Sequence, residues 1–316
     1  MRILTKKNII TLVSLVLFYV AVQSLINTKI INSYYEITLA TICMNIILAV
    51  SLNLVTGFTG QFSLGHAGFM SIGAYVGAIF SMKMGSTAGF LIGIFAGAIA
   101  AAFIGVLIGI PTLRLKGDYL AIATLGMAEI IRVIFLNMEI TNGAAGLNGI
   151  PRNTNWFWLF IFTVATVILI NSFIKSSTGR ACISIREDEI AAESMGINTT
   201  KYKVTAFAIG AFFAGIAGAL YSSYFYVIKP NLFSFVKSTD ILVIVVLGGM
   251  GSVSGSVVAA IILGVLNTYL QQYAHLRMII YSLLLIGIML FRPKGLMGTK
   301  EITDLFKSKK EVKKFD

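Results

Sequence analysis

Apolar runs of about 20 residues recur along this chain, and they constrain its fold more than any other feature of the sequence. A helix of that length crosses the hydrocarbon core of a bilayer, whereas an open strand or loop there leaves backbone polar groups without partners. Of the 316 residues, 57% are hydrophobic and 12% are charged, and the mean hydropathy is +0.88. The sequence therefore predicts an all-α, polytopic membrane helical bundle.

We predict about 8–10 transmembrane helices from these runs. The approximate spans are 9–26, 35–56, 61–82, 88–110, 118–136, 156–174, 204–226, 239–250, 255–272 and 278–291. An even number of spans places both termini on one side. The N-terminus, the 111–117 turn, the segment 175–203 and the C-terminal tail hold about 18 of the 25 basic residues, and the opposite loops hold about six. Cytoplasmic loops carry the excess of Lys and Arg, so this partition predicts cytoplasmic N and C termini.

The chain divides into an N-terminal transmembrane helix with its connection (1–34), a core (35–296) and a basic cytoplasmic tail (297–316). Arg2, Lys6 and Lys7 precede the first apolar run, as in a signal peptide, but no small-residue cleavage site follows, so we expect an uncleaved helix. The net charge is +12, yet the basic residues punctuate apolar runs instead of forming one stripe. The expected partner is therefore the lipid bilayer, with no nucleic acid.

The largest polar stretch is residues 175–203, which we call the polar island; it holds nine of the 38 charged residues. Its Ser184-Ile185-Arg186-Glu187 fits the capping-box pattern and predicts a helix that runs from there to Met195. Gly196 and Asn198 are expected to end this helix.

A helical wheel of this predicted helix places Ile190, Ala191, Ser194 and Met195 on one side. Its charged side is formed by Arg186, Glu189 and Glu193. A solvated linker between two spans and a helix that docks on a membrane surface or in a partner's groove are both open interpretations.

Residues 51–79 are much richer in glycine than a plain span requires, with Gly57, Gly60, Gly65, Gly68, Gly73 and Gly77. Small residues allow helices to pack closely in lipid, which accounts for many of these glycines. Glycine beside polar residues also permits a broken helix, which is tolerated at membrane depth where it is buried in protein or lines a cavity. The candidate substrate-path residues are the polar side chains of this stretch: Thr56, Gln61, Ser63 and His66. For His66 a hydrogen-bonded packing role competes with a pathway role.

A second Gly/Ser-rich interruption, residues 247–255, splits the apolar run that follows Asp240. Two interrupted spans at corresponding places indicate a possible internal repeat, with substrate passing near the interface between the halves. Glu129 and Arg132, three residues apart on one predicted span, are expected to pair. A functional site and a structural or interfacial role are both open for that pair.

Several kinds of site are not predicted. There is no G-x-x-x-x-G-K-[ST] motif for a nucleotide, so no cofactor is expected. His66 and His275 lack Cys or carboxylate neighbours at ligand spacing, so no metal site is expected. No catalytic residues are assigned, and Cys43 and Cys182 suggest no disulfide.

Five segments, taken in order, resemble LivM-type permeases, the membrane subunits of branched-chain amino acid ABC importers. They are SLNLVTGFTGQFSLGHAGFMSIGAYVGAI (51–79), TNGAAGLNGIP (141–151), GRACISIREDEIAAESMGINTTKYKVTAFAIGAFFAGIAGALY (179–221), VVLGGMGSVSGSVVAA (245–260) and FRPKGL (291–296). The resemblance implies that 35–296 is a permease core and that the polar island is its cytoplasmic coupling loop. It places the protein in the plasma or inner membrane, in many passes. Loop 141–151 is expected to be flexible, external and suited to contact with a substrate-delivery protein.

In such importers the coupling loop carries an E-A-A-x-x-x-G pattern that docks the ATPase. Ala191, Ala192 and Gly196 match it here, while Ile190 occupies the Glu position and Glu189 is displaced by one. The resulting ATPase-coupling candidates are Arg186, Glu187, Glu189, Ala191, Ala192, Glu193 and Gly196.

The resemblance also implies partners: a second homologous permease subunit, two cytoplasmic ATP-binding subunits that hydrolyse ATP, and an extracytoplasmic substrate-binding protein. The expected function is a non-enzymatic permease subunit that moves leucine, isoleucine and valine into the cytoplasm by alternating access. A urea or other amino acid ABC permease is one alternative. A stand-alone secondary transporter is another, although Glu129 is the only acidic residue well inside the predicted spans. A membrane-embedded enzyme lacks a recognisable catalytic cluster.

Overall fold

The computed structural model describes residues 6–29 and 31–270, and beyond them residues 273, 282–283, 286–287, 290 and 295–298. This part of the chain is built from α-helices. They are α1 (Lys6–Asn27), α2 (Ser33–Asn53), α3 (His66–Met84), α4 (Thr87–Thr112), α5 (Asp118–Asn137), α6 (Trp156–Lys175), α7 (Ser177–Glu187), α8 (Glu189–Ser194), α9 (Thr199–Phe225), α10 (Phe235–Gly248) and α11 (Val253–Leu270).

Eight segments within the described residues are long and apolar enough to cross a membrane. They are Ser33–Phe58, His66–Met84, Thr87–Thr112, Asp118–Asn137, Trp156–Lys175, Thr199–Phe225, Pro230–Gly248 and Val253–Leu270. The all-α, multi-pass prediction is thereby confirmed. The predicted first span, 9–26, lies within α1. The predicted span 278–291 and the tail beyond residue 298 lie almost wholly outside the described residues.

Helices α3, α4 and α9 pack against one another more closely than large side chains allow. A Cβ placed on Gly73 of α3 would lie 2.0 Å from the carbonyl oxygen of Gly215 on α9. A Cβ on Gly218 would lie 1.9 Å from the carbonyl oxygen of Met70. Only glycine permits such an approach of two backbones, so helix packing does account for part of the glycine density.

Helix α2 lies at the centre of the bundle, with every residue from Ile42 to Asn53 buried. It touches α6, α9, α10 and α11. The outermost helix, α1, packs on α6 through aromatic contacts, including Tyr19 and Phe160 with ring centroids 5.4 Å apart. The element that carries the first interruption is therefore surrounded by protein.

The bundle has two distinct ends. At one end, which we call the island end, α7 and α8 connect α6 to α9. At the opposite end, β1 (Leu147–Asn148) pairs antiparallel with β2 (Val227–Ile228). Three short 3-10 turns, Glu139–Thr141, Gly143–Ala145 and Pro230–Phe233, flank this ladder. The loop predicted to be flexible, 141–151, thus contains more regular structure than expected.

Candidate coupling site and broken span

The first glycine-rich stretch forms a broken span, as predicted. Helix α2 continues into one π-helical stretch, Leu54–Phe58, and the chain then runs without regular structure to residue 65 before α3 begins at His66. Gly60 has φ +71°, a conformation that favours glycine, at the point where the chain turns back from the island end. Helix α3 therefore begins five residues later than the predicted span 61–82.

Several backbone N–H groups at this break have partners within the protein. The Leu64 N–H donates to Thr124 Oγ1 at 3.1 Å, and the Ala67 N–H donates to Ser238 Oγ at 3.2 Å. The Gln61 N–H donates to the carbonyl of Val55 at 3.1 Å. Non-helical backbone at membrane depth requires such partners, because the hydrocarbon core offers none.

The four predicted substrate-path residues all line this break, and all are buried, with exposures between 2% and 5%. They are Thr56, Gln61, Ser63 and His66. His66 Nε2 lies 2.8 Å from Ser51 Oγ on α2, so its ring has a packing role whatever its part in transport. The hydroxyl of Thr56 and the amide of Gln61 have no hydrogen-bond partner among the described residues. Buried polar atoms of this kind are rare and call for an explanation.

The second interruption is also present, where α10 ends at Gly248 and α11 begins at Val253. Asn53, the last residue of α2, joins the two interruptions. Its Nδ2 donates to the Ser252 carbonyl and to Ser256 Oγ, both at 2.8 Å, and its Oδ1 accepts from the Gly251 N–H at 2.9 Å. Sequence reasoning missed Asn53, because no local pattern distinguishes it from any other polar residue of a span.

The polar island folds as two helices, so the prediction of one helix beginning at Ser184 was wrong. The Ser176 hydroxyl accepts from the Gly179 N–H and caps α7, and Asp188 Oδ1 accepts from the N–H groups of Ile190 and Ala191 and caps α8. Ser184 lies inside α7. Asp188 caps α8 because its backbone is extended and its carboxylate oxygen accepts from two N–H groups at the start of the helix.

The predicted end of the helix at Gly196 is confirmed. Helix α8 ends at Ser194, and Gly196 follows with φ +83°, in the left-handed region that favours glycine. Asn198 has a different role from the one predicted: its side chain accepts from the Lys201 N–H at 3.0 Å and caps α9.

Arg186 connects the polar island to the broken span. Its Nη1 donates to the Gly57 carbonyl, inside the π-helical stretch, at 2.8 Å. Its Nε also donates to Glu187 Oε1 at 3.1 Å, so the carboxylate holds the guanidinium group in place. A Cβ on Gly60 would lie 3.1 Å from Arg186 Cγ, which shows how closely the two segments pack. One coupling candidate, Arg186, is therefore in direct contact with the broken span that carries the substrate-path candidates.

Glu189 holds the start of α8 against the bundle. Lys203 Nζ, on α9, donates to its Oε1 at 2.6 Å, and Lys116 Nζ, in the 111–117 turn, lies 3.4 Å from its Oε2. Burial disfavours the charged form, but the hydrogen bond and charge of Lys203, together with Lys116, outweigh it and lower the pKa of Glu189 below its ordinary 4.5. Glu189 therefore faces the bundle as an anion, and the two lysines were not among the predicted residues.

The remaining coupling candidates divide between the two sides of α8. Ala192 is buried against the bundle, whereas Ala191 and Glu193 are exposed. The two large apolar side chains of the predicted wheel are strongly exposed, with Ile190 at 73% and Met195 at 83%. One side of α8 is thus fixed to the bundle, and the other presents apolar groups to its surroundings.

A cavity of about 240 Å³ lies between the island and the broken span. Gln61 lines it on one side, and Arg186, Glu189 and Lys203 line it on the other. The space between the two elements leaves room for a shift of one relative to the other.

Comparison with known proteins places this architecture in a family. The model of the family described as "Branched-chain amino acid transport system / permease component" matches residues 34–291, which includes both interruptions and the polar island. The chain belongs to this permease family. The match makes it a multi-pass plasma-membrane transport subunit and confirms the resemblance seen in the sequence.

The relatives of this permease include LivM and LivH permease proteins. The LivM permease protein of Salmonella typhimurium is 35% identical, with 83% of this chain and 70% of the relative covered. The LivM protein of Escherichia coli K12 is 36% identical, with 83% and 69% covered. The LivH permease protein of Salmonella typhimurium is 33% identical over a shorter part, 46% of this chain and 47% of the relative. Matches to both kinds indicate that permeases of this family occur in pairs, and no solved structure matches the chain.

Proposed function

We propose that this permease is one membrane subunit of an ATP-driven importer that moves leucine, isoleucine and valine into the cytoplasm. The cargo is supported by the family description and by the names of the LivM relatives. ATP hydrolysis takes place on partner subunits, because the sequence has no phosphate-binding loop of its own.

In this proposal the island end is cytoplasmic, as are the N and C termini. The partition of basic residues supports this orientation. The opposite end, with the loop from Thr141 to Pro151, then faces outward and receives the substrate from an extracytoplasmic binding protein. A second, homologous permease completes the membrane part, in line with the two kinds of relative.

The observation that carries the coupling role is the two-sided character of α8. Its inner side is held by Glu189 and the buried Ala192, while Ile190 and Met195 project outward. Exposed apolar side chains on a short, anchored helix suit insertion into a groove of a partner protein. One of two cytoplasmic ATP-binding subunits docks here, and the other docks on the second permease.

The route from ATP to substrate passes through Arg186. When the ATP-binding subunits close, they push the segment from α7 to Gly196, and the Arg186–Gly57 hydrogen bond transmits that movement to the broken span. The unpartnered Thr56 and Gln61 lie where this movement arrives. Reorientation of the two permeases then alternates access to the substrate.

The test is co-purification and radiolabelled leucine uptake by the assembled importer in proteoliposomes. The wild-type chain is expected to retain the ATP-binding subunits and to support ATP-dependent uptake. A double variant, Ile190→Glu with Met195→Glu, is expected to lose at least 90% of the bound ATP-binding subunits, because two charges in an apolar groove lack partners. The matched control is Ile140→Glu, which alters a side chain 67% exposed at the opposite end.

The outcomes separate the alternatives. ATP-dependent uptake of urea or of another amino acid, without leucine uptake, would contradict the cargo and keep the architecture. Uptake driven by an ion gradient with no ATP-binding subunit bound would contradict the importer and favour a secondary transporter. Normal retention of the ATP-binding subunits by the double variant would contradict the docking role of α8.

A further inference from the structure

A groove of about 630 Å³ runs along the outer surface of the bundle between α5 and the start of α10. On α5 it is lined by Ile122, Leu125, Gly126, Glu129 and Arg132, and across from them by Asn231, Ser234 and Phe235. The α5 residues are spaced by three or four positions and so form one stripe along the helix. The volume of the groove is within the range of about 300–1,000 Å³ found for small-molecule sites.

The charged part of the groove lies within the span. Helix α5 begins beside the polar island and ends at Asn137, at the opposite end. At 1.5 Å per residue, Glu129 lies about 12 Å and Arg132 about 8 Å from that end of the helix. Both charges are therefore inside the length that the bilayer core would cover.

Glu129 and Arg132 pair, as the sequence predicted. Arg132 donates through Nε to Glu129 Oε1 at 2.8 Å and through Nη2 to the same oxygen. Its Nη1 donates to Asn231 Oδ1 at 2.9 Å, across the groove. Both contacts from Arg132 use Oε1, so Oε2 remains as an acceptor within the groove, and the guanidinium has N–H groups to spare.

The open side of this groove does not suit lipid. The side chains of Glu129 and Arg132 are 45% and 20% exposed. Ionisable groups within a span are costly when they face hydrocarbon, and they face a protein interior or a water-filled path instead. This face of the chain therefore suits contact with protein or water, not with lipid.

We propose that this groove binds the substrate in transit, as a zwitterionic amino acid with an aliphatic side chain. The substrate carboxylate pairs with the guanidinium of Arg132, whose planar group matches a carboxylate, and its ammonium pairs with Glu129 Oε2. The aliphatic side chain lies on Ile122, Leu125 and Phe235. This inference rests on the proposed function, and the second permease supplies the missing wall.

The groove differs from the break as a place for substrate. The four polar residues of the break, Thr56, Gln61, Ser63 and His66, are buried and include no carboxylate or guanidinium group. The groove instead offers a cation, an anion and an apolar floor within one open space. The groove therefore binds the amino acid, and the break moves with the ATP-driven cycle.

The first experiment measures uptake of ¹⁴C-leucine by the complete importer in proteoliposomes, with its binding protein. Arg132→Gln is expected to lower the uptake rate at least tenfold, while complex yield and ATP hydrolysis stimulated by the binding protein stay within twofold. The control is Arg152→Gln, which removes a cation located over the Tyr224 ring, outside the groove. Wild-type uptake by this control is expected.

A charge exchange separates binding from a structural ion pair. Glu129→Arg combined with Arg132→Glu keeps the pair but reverses its direction, so the substrate's side chain no longer meets the apolar floor. Uptake by this double variant is expected to stay at least tenfold below wild-type uptake. This expectation holds even if Arg132→Gln alone fails to assemble. Recovery to within twofold of wild type, or wild-type uptake by Arg132→Gln, would overturn the proposal.

A second measurement does not depend on transport. A Cβ on Gly126 meets no atom within 4 Å, so Gly126→Cys fits the groove. A charged, membrane-impermeant methanethiosulfonate is expected to label this thiol in the assembled importer, and leucine with its binding protein is expected to slow the labelling. Ile99→Cys, at a site 61% exposed near the middle of α4, is the lipid-facing control. Equal labelling of the two cysteines would overturn the groove's assignment to the path.

A failure of wild-type leucine uptake would contradict the proposed function instead. In that case labelling of Gly126→Cys that exceeds labelling of Ile99→Cys would still place the groove on a water-filled path. The two failures are therefore distinguishable.

Discussion

The two interruptions of the spans differ in what holds them. The second, between α10 and α11, is fixed from inside the bundle by Asn53 and by its own serines, with the Gly255 N–H donating to Ser252 Oγ at 3.0 Å. The first contacts the polar island through Arg186 and has unpartnered polar atoms at Thr56 and Gln61. We infer that the second is an anchor and that the first is the part built to move.

Asn53 gives the largest expected effect, because it joins both interruptions. Asn53→Leu leaves the Gly251 N–H and the Ser252 carbonyl without this partner in a buried place. Such losses destabilise by about 2–5 kcal/mol in total. We expect a large drop in the thermal unfolding midpoint of the purified permease in detergent.

The control for that substitution is Asn137→Leu. Asn137 is exposed and donates to the Val133 carbonyl within its own helix. An equal drop in both variants would contradict the anchoring role of Asn53, since the effect would then come from changing any amide to leucine.

A smaller effect is expected at Glu189, which holds the island to the bundle without touching either interruption. Glu189→Gln removes the charge that Lys203 and Lys116 share, and we expect a loss of about 1–2 kcal/mol. Because the pKa of Glu189 is lowered in the fold, its stabilisation is present above pH 4.5 and is lost as the pH falls below that value.

This prediction is checked by thermal unfolding between pH 3.5 and pH 7, values chosen to bracket about 4.5, the ordinary pKa of a glutamate. The difference between wild type and Glu189→Gln should shrink as the pH falls. Glu193→Gln, on the exposed side of α8, is the control and should match wild type throughout. A difference as large at pH 3.5 as at pH 7 would contradict a charge-based contact.

The sequence predicts those features that local patterns encode. Long apolar runs predict the spans, dense glycine predicts the first break, Gly196 predicts the end of α8, and the spacing of Glu129 and Arg132 predicts their pairing. These features depend on helix geometry and on backbone freedom, which neighbouring residues determine.

The features that were not predictable depend on distant residues. Asn53 meets Ser252 across 199 positions, and Arg186 meets Gly57 across 129, so no local pattern reveals either contact. The capping-box pattern at Ser184 was misleading, because the Ser184 hydroxyl donates to the Ala181 carbonyl at 2.8 Å, inside a helix that Ser176 had already capped.

We infer that Arg186 passes movement of the island to the first interruption. The most direct test is the amount of leucine transported per ATP hydrolysed by the assembled importer carrying Arg186→Met. The control is Arg180→Met, whose guanidinium Nη1 donates to the Lys175 carbonyl beside its own helix at 2.9 Å. We predict at least a tenfold fall in that ratio for Arg186→Met, with ATP hydrolysis maintained, and no change for the control. A wild-type ratio in Arg186→Met would contradict this role of Arg186.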